Sequence, residues 1–197
     1  MSPTNAKSSG RYPLLIFLHG AGMRGNDNRQ QLSGLPEQLA EATWSKRFNS
    51  FVLAPQCAEH SNWANRSDEL ITLIRTLIKQ KPIDPDRIYL TGLSMGGSGC
   101  WALATKEPEL FAAVVPICGG GDPRSAARLI NTPIWAIHGD ADEIIPVDET
   151  RAMITAIRAA GGQPHYTELP NVGHDSWTQT YRDPDGVLKW MFEQRKP

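Results

Sequence analysis

The sequence predicts an α/β domain built on a parallel sheet with helices on both faces. Two patterns point there. Short apolar runs alternate along the chain with longer segments of helical periodicity. The run Ala112-Ala113-Val114-Val115-Pro116-Ile117 is apolar throughout, as a strand covered on both faces must be. The third observation is size: 197 residues, 40% of them hydrophobic, suit one domain with a real core.

Strands are expected at 14–18, 50–54, 87–92, 112–118, 133–138 and 165–169. Helices are expected between them, at 33–47, 67–80, 95–106, 124–130, 147–161 and 184–194. The helix over 67–80 carries the plainest signal. Leu70, Ile71, Leu73, Ile74, Leu77 and Ile78 form one apolar stripe at helical spacing. Ser67 reads as its N-cap, with Asp68 and Glu69 in the first turn. Residues 1–12 are polar and rich in Gly and Ser, and read as a flexible tail before a catalytic domain over 13–197. No repeat, low-complexity tract or linker interrupts that domain.

A net charge of −1 argues against nucleic acid or an anionic membrane surface as partner. No apolar run reaches the length of a membrane-spanning helix, so no membrane insertion is expected. Cys57, Cys100 and Cys118 have neither a paired framework nor metal-ligand spacing. No cofactor or metal is expected. The start Met1-Ser2-Pro3-Thr4-Asn5-Ala6 lacks the basic and apolar regions of a signal peptide. A cytoplasmic location follows, or a secreted one where a leader has been removed.

Chemistry concentrates at strand ends. Gly92-Leu93-Ser94-Met95-Gly96 fits Gly-x-Ser-x-Gly directly after the apolar run 87–91. A strand that turns sharply into a helix at such a motif exposes the serine hydroxyl above the sheet. A serine nucleophile needs a base, and the base needs a carboxylate to orient it and to stabilise its charge. Downstream lies His138-Gly139-Asp140-Ala141-Asp142, and further on Gly173-His174. Ser94, the acidic loop and His174 each follow an expected strand. In a parallel sheet those carboxyl ends share one edge.

With Leu18-His19-Gly20-Ala21-Gly22, the 92–97 motif, 138–142 followed by Ile145-Pro146, and Gly173-His174, the chain resembles α/β-hydrolases. The likeness is to the phospholipase/carboxylesterase and dienelactone-hydrolase-like serine esterases. It spans nearly the whole chain. Dienelactone hydrolases proper carry a cysteine nucleophile, and this chain has Ser94 there. The resemblance implies Ser94 as nucleophile, Asp142 rather than Asp140 as acid, and His174 as base. An oxyanion hole from the backbone N–H groups of Met95 and Ala21 is implied as well. It also implies a minimal three-layer form. With so little chain before residue 13, the first two strands of the family are absent and about six parallel strands remain. No insertion long enough for a lid lies between 118 and the acid loop, so an open, shallow site is expected.

The expected reaction is two-step hydrolysis of short-chain or accessible carboxylic esters through an acyl-enzyme. Its partner is a small-molecule ester, and the chain would act as a monomer or homodimer. Feruloyl or acetyl-sugar esterase, thioesterase and peptidase activities share this machinery. Acyl transfer to an alcohol and ligand binding without turnover are further alternatives. Trp177, beside His174, is a candidate border of the acyl site. Trp63 and Gln56, in the loop after the second strand, are candidates for the alcohol side, and Arg24 for binding an acidic group. Asn26, Asp27 and Asn28 read as a solvated turn. His19 and His138 read as structural.

Overall fold

The computed structural model describes residues 1–4 and 10–196. A six-stranded sheet runs in the order β2-β1-β3-β4-β5-β6. Its strands are β1 (Tyr12–Leu18), β2 (Phe51–Leu53), β3 (Ile83–Leu93), β4 (Ala113–Ile117), β5 (Trp135–Gly139) and β6 (His165–Leu169). Every pairing is parallel. The sheet has the six parallel strands that the α/β-hydrolase resemblance leads one to expect, and among the described residues no segment forms a lid.

The strands feed two cores. In β1, Leu14, Ile16 and Leu18 pack into one cluster while Leu15 and Phe17 pack into the other. Successive side chains of a strand alternate faces, so an unbroken apolar run supplies both. On the first face lie α3 (Ser67–Gln80), α4 (Met95–Lys106) and α5 (Val147–Ala159), through Leu70, Ile74, Trp101 and Ile154. On the second lie α1 (Leu35–Ala40), α2 (Ala42–Arg47), α6 (Trp177–Arg182) and α7 (Val187–Glu193), through Leu35, Tyr181, Leu188 and Met191, with Trp44 of α2 packed against them. Each fully buried aliphatic side chain of this kind stabilises the fold by about 1.5–3 kcal/mol.

Several elements differ from the sequence expectation. The helix expected over 33–47 is two short helices, because Glu41 is extended at ψ 143° between them. The segment expected at 124–130 is a 3-10 helix over Pro123–Leu129, capped by the Asp122 carboxylate accepting from the Arg124 amide. Ser67 is not an N-cap. It is the first helical residue, and its hydroxyl donates back to the carbonyls of Trp63 and Ala64. Strand β3 begins earlier than 87, with a register shift against β1 between Tyr12 and Leu14. That irregular stretch contains Pro85, which has no amide to give, and Asp84 anchors it through Arg87 at 2.8 Å and Arg195 at 3.1 Å.

The tail expected over 1–12 falls partly on residues 5–9, outside the described residues. Met1 pairs with the edge of β2, its amino group donating to Val52 O at 2.8 Å and its carbonyl accepting from Val52 N at 3.1 Å. Tyr12 already belongs to β1. Among the described residues no helix is long and apolar enough to cross a membrane.

Candidate active site

The sheet order reverses between β1 and β3, whose chains leave in opposite directions along the sheet. Ligands of open α/β sheets bind at such a switch point, outside the carboxyl ends of the strands. Leu18, the last residue of β1, pairs with Gly92 of β3. The loop 19–25 and Ser94 therefore leave the sheet side by side.

Ser94 sits between β3 and α4 with φ 55° and ψ −119°. Two glycines allow this turn. A Cβ on Gly96 would collide with the Leu18 carbonyl, and one on Gly97 with the Ile117 carbonyl, so α4 lies directly on β1 and β4. The Ser94 amide is anchored to Ile117 O at 3.0 Å and to Cys118 Sγ at 3.3 Å.

His174 closes on the serine, its Nε2 lying 2.9 Å from Ser94 Oγ. Its Nδ1 lies 2.7 Å from Asp142 Oδ2. A carboxylate only accepts, so Nδ1 carries the hydrogen and Nε2 is left as the acceptor facing the hydroxyl. The other Asp142 oxygen accepts from the amides of Ile144 (2.9 Å) and Ile145 (3.0 Å). Burial pushes the Asp142 carboxyl up. The hydrogen bonds from His174, Ile145 and Ile144 outweigh it and hold the group below its ordinary value. Asp140 is elsewhere: its exposed carboxylate accepts from the Asn171 amide at 2.6 Å and ties the acid loop to the histidine loop. The exposed Asp175 carboxylate accepts from the Thr178 amide at 3.0 Å and from its hydroxyl at 2.9 Å, in the first turn of α6.

The first amides of a helix have no acceptor inside it. Met95 opens α4, and Ala21 opens a 3-10 turn over Ala21–Met23. Gly20, next to Ala21, stands close enough to the elbow that a Cβ there would lie 3.6 Å from Ser94 Cβ. These are the two amides the sequence proposes for an oxyanion hole.

The other expected residues divide. Trp177 meets the His174 ring edge-on, with centroids 5.5 Å apart. With Leu93, Met23, Leu35, Trp44 and Tyr181, and the charged Glu37, Glu41 and Arg182, it lines a cavity of about 550 Å³ that reaches Leu93, the residue before Ser94. Trp63, expected on the alcohol side, is instead buried under the loop, its indole donating to His19 O at 2.9 Å. Gln56 braces the 23–28 loop, donating to Asp27 Oδ1 (2.9 Å) and accepting from the Asn28 amide (2.7 Å). Arg24 donates to Ser61 O at 2.8 Å. His19 is buried, with Nε2 accepting from the Cys57 amide at 3.0 Å and Nδ1 facing Gly20 O at 2.7 Å. Burial lowers its pKa.

Helix α6 had no sequence signal, because six residues are too few for a periodic stripe. It is fastened by the Tyr181 hydroxyl against Thr91 Oγ1 of β3 at 2.8 Å, and this fixes Trp177. Ligand atoms of Cys118, Asp142 and His174 lie within 4.8 Å of one another. Burial lifts the Cys118 thiol to about 12, so it stays protonated and is a poor metal ligand.

Residues 54–186, more than half of the chain, match the sequence profile of the Dienelactone hydrolase family. The chain belongs to that family. Among relatives, a probable feruloyl esterase C of Aspergillus flavus is 28% identical over 185 residues, covering 90% of this chain and 67% of its own length. A probable inactive carboxylesterase of Oryza sativa subsp. japonica is 23% identical, covering 97% of this chain and 88% of that protein. The crystal structure of a thermostable esterase superposes with a TM-score of 0.91 at 36% identity, covering 98% of this chain. This chain spans only 58% of that esterase's length.

Proposed function

We propose that this member of the dienelactone hydrolase family is a serine esterase that hydrolyses carboxylic esters through an acyl-enzyme. The observation carrying the reading is the unbroken hydrogen-bonded line from Ser94 Oγ through His174 to Asp142 at the sheet's switch point. His174 Nε2 takes the Ser94 proton as Oγ attacks the ester carbonyl. The Met95 and Ala21 amides receive the oxyanion. His174 then protonates the leaving alcohol, and later draws a proton from water to release the acid. Asp142 holds the imidazole in the required tautomer and stabilises it when charged.

The cavity beside the nucleophile bears on the substrate. Trp44, Trp177 and Tyr181 give it aromatic walls. A flat aromatic acyl group suits such walls as well as a short aliphatic one does. The fungal relative named a feruloyl esterase makes that second reading worth an arm of the test.

The test is hydrolysis of nitrophenyl esters with two to twelve acyl carbons, and of methyl ferulate, by wild type and Ser94→Ala. Loss of turnover in the variant supports the reading, and the preferred ester reports the acyl group. Turnover surviving in Ser94→Ala overturns it. Folded wild-type protein inactive on every ester leaves ligand binding without turnover.

A further inference from the structure

Asp142 meets a second histidine. His138 Nε2 lies 3.1 Å from Asp142 Oδ2, the oxygen that also accepts from His174, and 2.9 Å from Ile145 O. Both neighbours are acceptors, so His138 Nε2 carries a hydrogen aimed between them. Its Nδ1 lies 2.8 Å from Thr150 Oγ1, and that hydroxyl lies 3.1 Å from Gly119 O. Gly119 abuts the backbone of Gly97 and Ser98 in the first turn of α4, so tightly that no Cβ fits there. A continuous polar path thus runs from the backbone under the nucleophile's helix through Thr150 and His138 to Asp142 Oδ2.

Among the described residues, His138 is fully buried. A residue needed only to fill the end of β5 would be apolar, because burying imidazole costs desolvation that each hydrogen bond only offsets. Without His138, Oδ2 would have His174 alone, the group that must cycle between two protonation states during turnover. The amides on Oδ1 fix one corner of the carboxylate and leave its plane free to tilt.

We propose that His138 is a positioning residue: with Thr150 it fixes the plane of the Asp142 carboxylate so that His174 stays aligned on Ser94. This rests on reading Ser94, His174 and Asp142 as the reacting triad. Misplacing a reacting group by an ångström costs up to about 100-fold in rate. His138→Leu removes the donor and keeps an apolar filler. His138→Gln restores a side-chain N–H near the Nε2 position.

The experiment measures kcat and KM on nitrophenyl acetate for both variants, together with the rate at which a diethyl nitrophenyl phosphate probe inactivates the enzyme. His138→Leu should lose about 10- to 100-fold in kcat and in inactivation rate, with KM within about 2-fold. His138→Gln should recover most of that loss. Wild-type kcat in a folded His138→Leu overturns the proposal, as does equal loss in both variants, which marks a packing role. Should His138→Leu not fold, Thr150→Val decides: about 3-fold or more lost from kcat at constant KM supports the path, and wild-type kcat overturns it. Activity in Ser94→Ala would mean the triad reading itself fails, whereas a dead Ser94→Ala beside a fully active His138→Leu removes this inference alone.

Discussion

The Ser94 amide donates to Cys118 Sγ at 3.3 Å, and both residues hold positive φ, 55° and 42°, at the ends of the neighbouring strands β3 and β4. Two L-residues strained side by side persist only because the surrounding packing determines both. The Gly96 and Gly97 contacts with the Leu18 and Ile117 carbonyls supply that packing. The strain holds the Ser94 hydroxyl out of the sheet and against His174.

Strain at Ser94 has a measurable consequence. Glycine tolerates φ 55° with ψ −119°, and alanine does not. Ser94→Gly should therefore be more stable than Ser94→Ala by about 1–3 kcal/mol, although both lose the nucleophile. Urea denaturation of the two variants measures the difference. Equal midpoints and slopes would mean the elbow stores no strain.

Cys118 lies beside Ser94, the proposed nucleophile, without being able to replace it. Its thiol is buried and lifted to about 12, and Cys57 and Cys100 are buried as well. Alkylation needs the thiolate. The native protein should thus show no thiol reactive to a disulfide reagent at pH 8, and all three should react once unfolded. Iodoacetamide should leave esterase activity intact. Rapid loss of activity would implicate Cys118 in the chemistry.

Much of the candidate site is legible in the sequence. Strands β1, β4 and β5 and the second half of β3 are apolar runs, β6 is a mixed one, and Ser94, Asp142 and His174 follow β3, β5 and β6. A parallel sheet puts their loops on one edge, so the convergence needed no contact information. What sequence could not carry was direction. Trp63 and Gln56 lie in the expected loop, yet one points into the core and the other into the 23–28 loop. Ser67 has the right type for a cap, but its hydroxyl serves carbonyls behind it. The break at Glu41 and the short α6 are joined by a long-range contact, Gln38 Nε2 donating to Tyr181 O at 2.8 Å, which local periodicity does not reach. His138 read as structural because its partner, Asp142, becomes a neighbour only when the acid loop folds back.

Gly97 makes the contact between α4 and the end of β4 especially close. Ala at this position would press a methyl group into the Ile117 carbonyl, which is fixed in the sheet. Overpacking of this kind costs about 1–3 kcal/mol or more. In a domain of this size that corresponds to a Tm lower by about 3–10 °C. Differential scanning calorimetry of Gly97→Ala checks it, and an unchanged Tm would place α4 farther from the sheet.

Trp177 closes one side of the 550 Å³ cavity and stands against His174. Trp177→Ala should widen the acyl side and move the preferred nitrophenyl ester to longer chains, at a cost in kcat from the loosened His174 ring. The KM for a two-carbon ester should rise less than that for methyl ferulate if the aromatic wall contacts aromatic acyl groups. Equal rises would assign Trp177 to bracing His174 alone.

The Asp142 carboxyl links activity to acid stability. Hydrogen bonds from His174 and the loop amides hold its pKa below the ordinary value of about 3.9 despite burial. A carboxyl depressed on folding contributes stability that is present above its unfolded pKa and lost as pH falls through its folded one. Asp142→Asn has no such titration. As pH drops below about 4, wild-type Tm should fall more steeply than that of Asp142→Asn, and the two curves should converge. At neutral pH the same variant should lose up to about 10⁴-fold in kcat, because an amide does not hold His174 in the tautomer that leaves Nε2 free. Parallel Tm curves across the acid range would mean that the native carboxyl titrates at its ordinary value, and that these hydrogen bonds do no more than offset the cost of burying it.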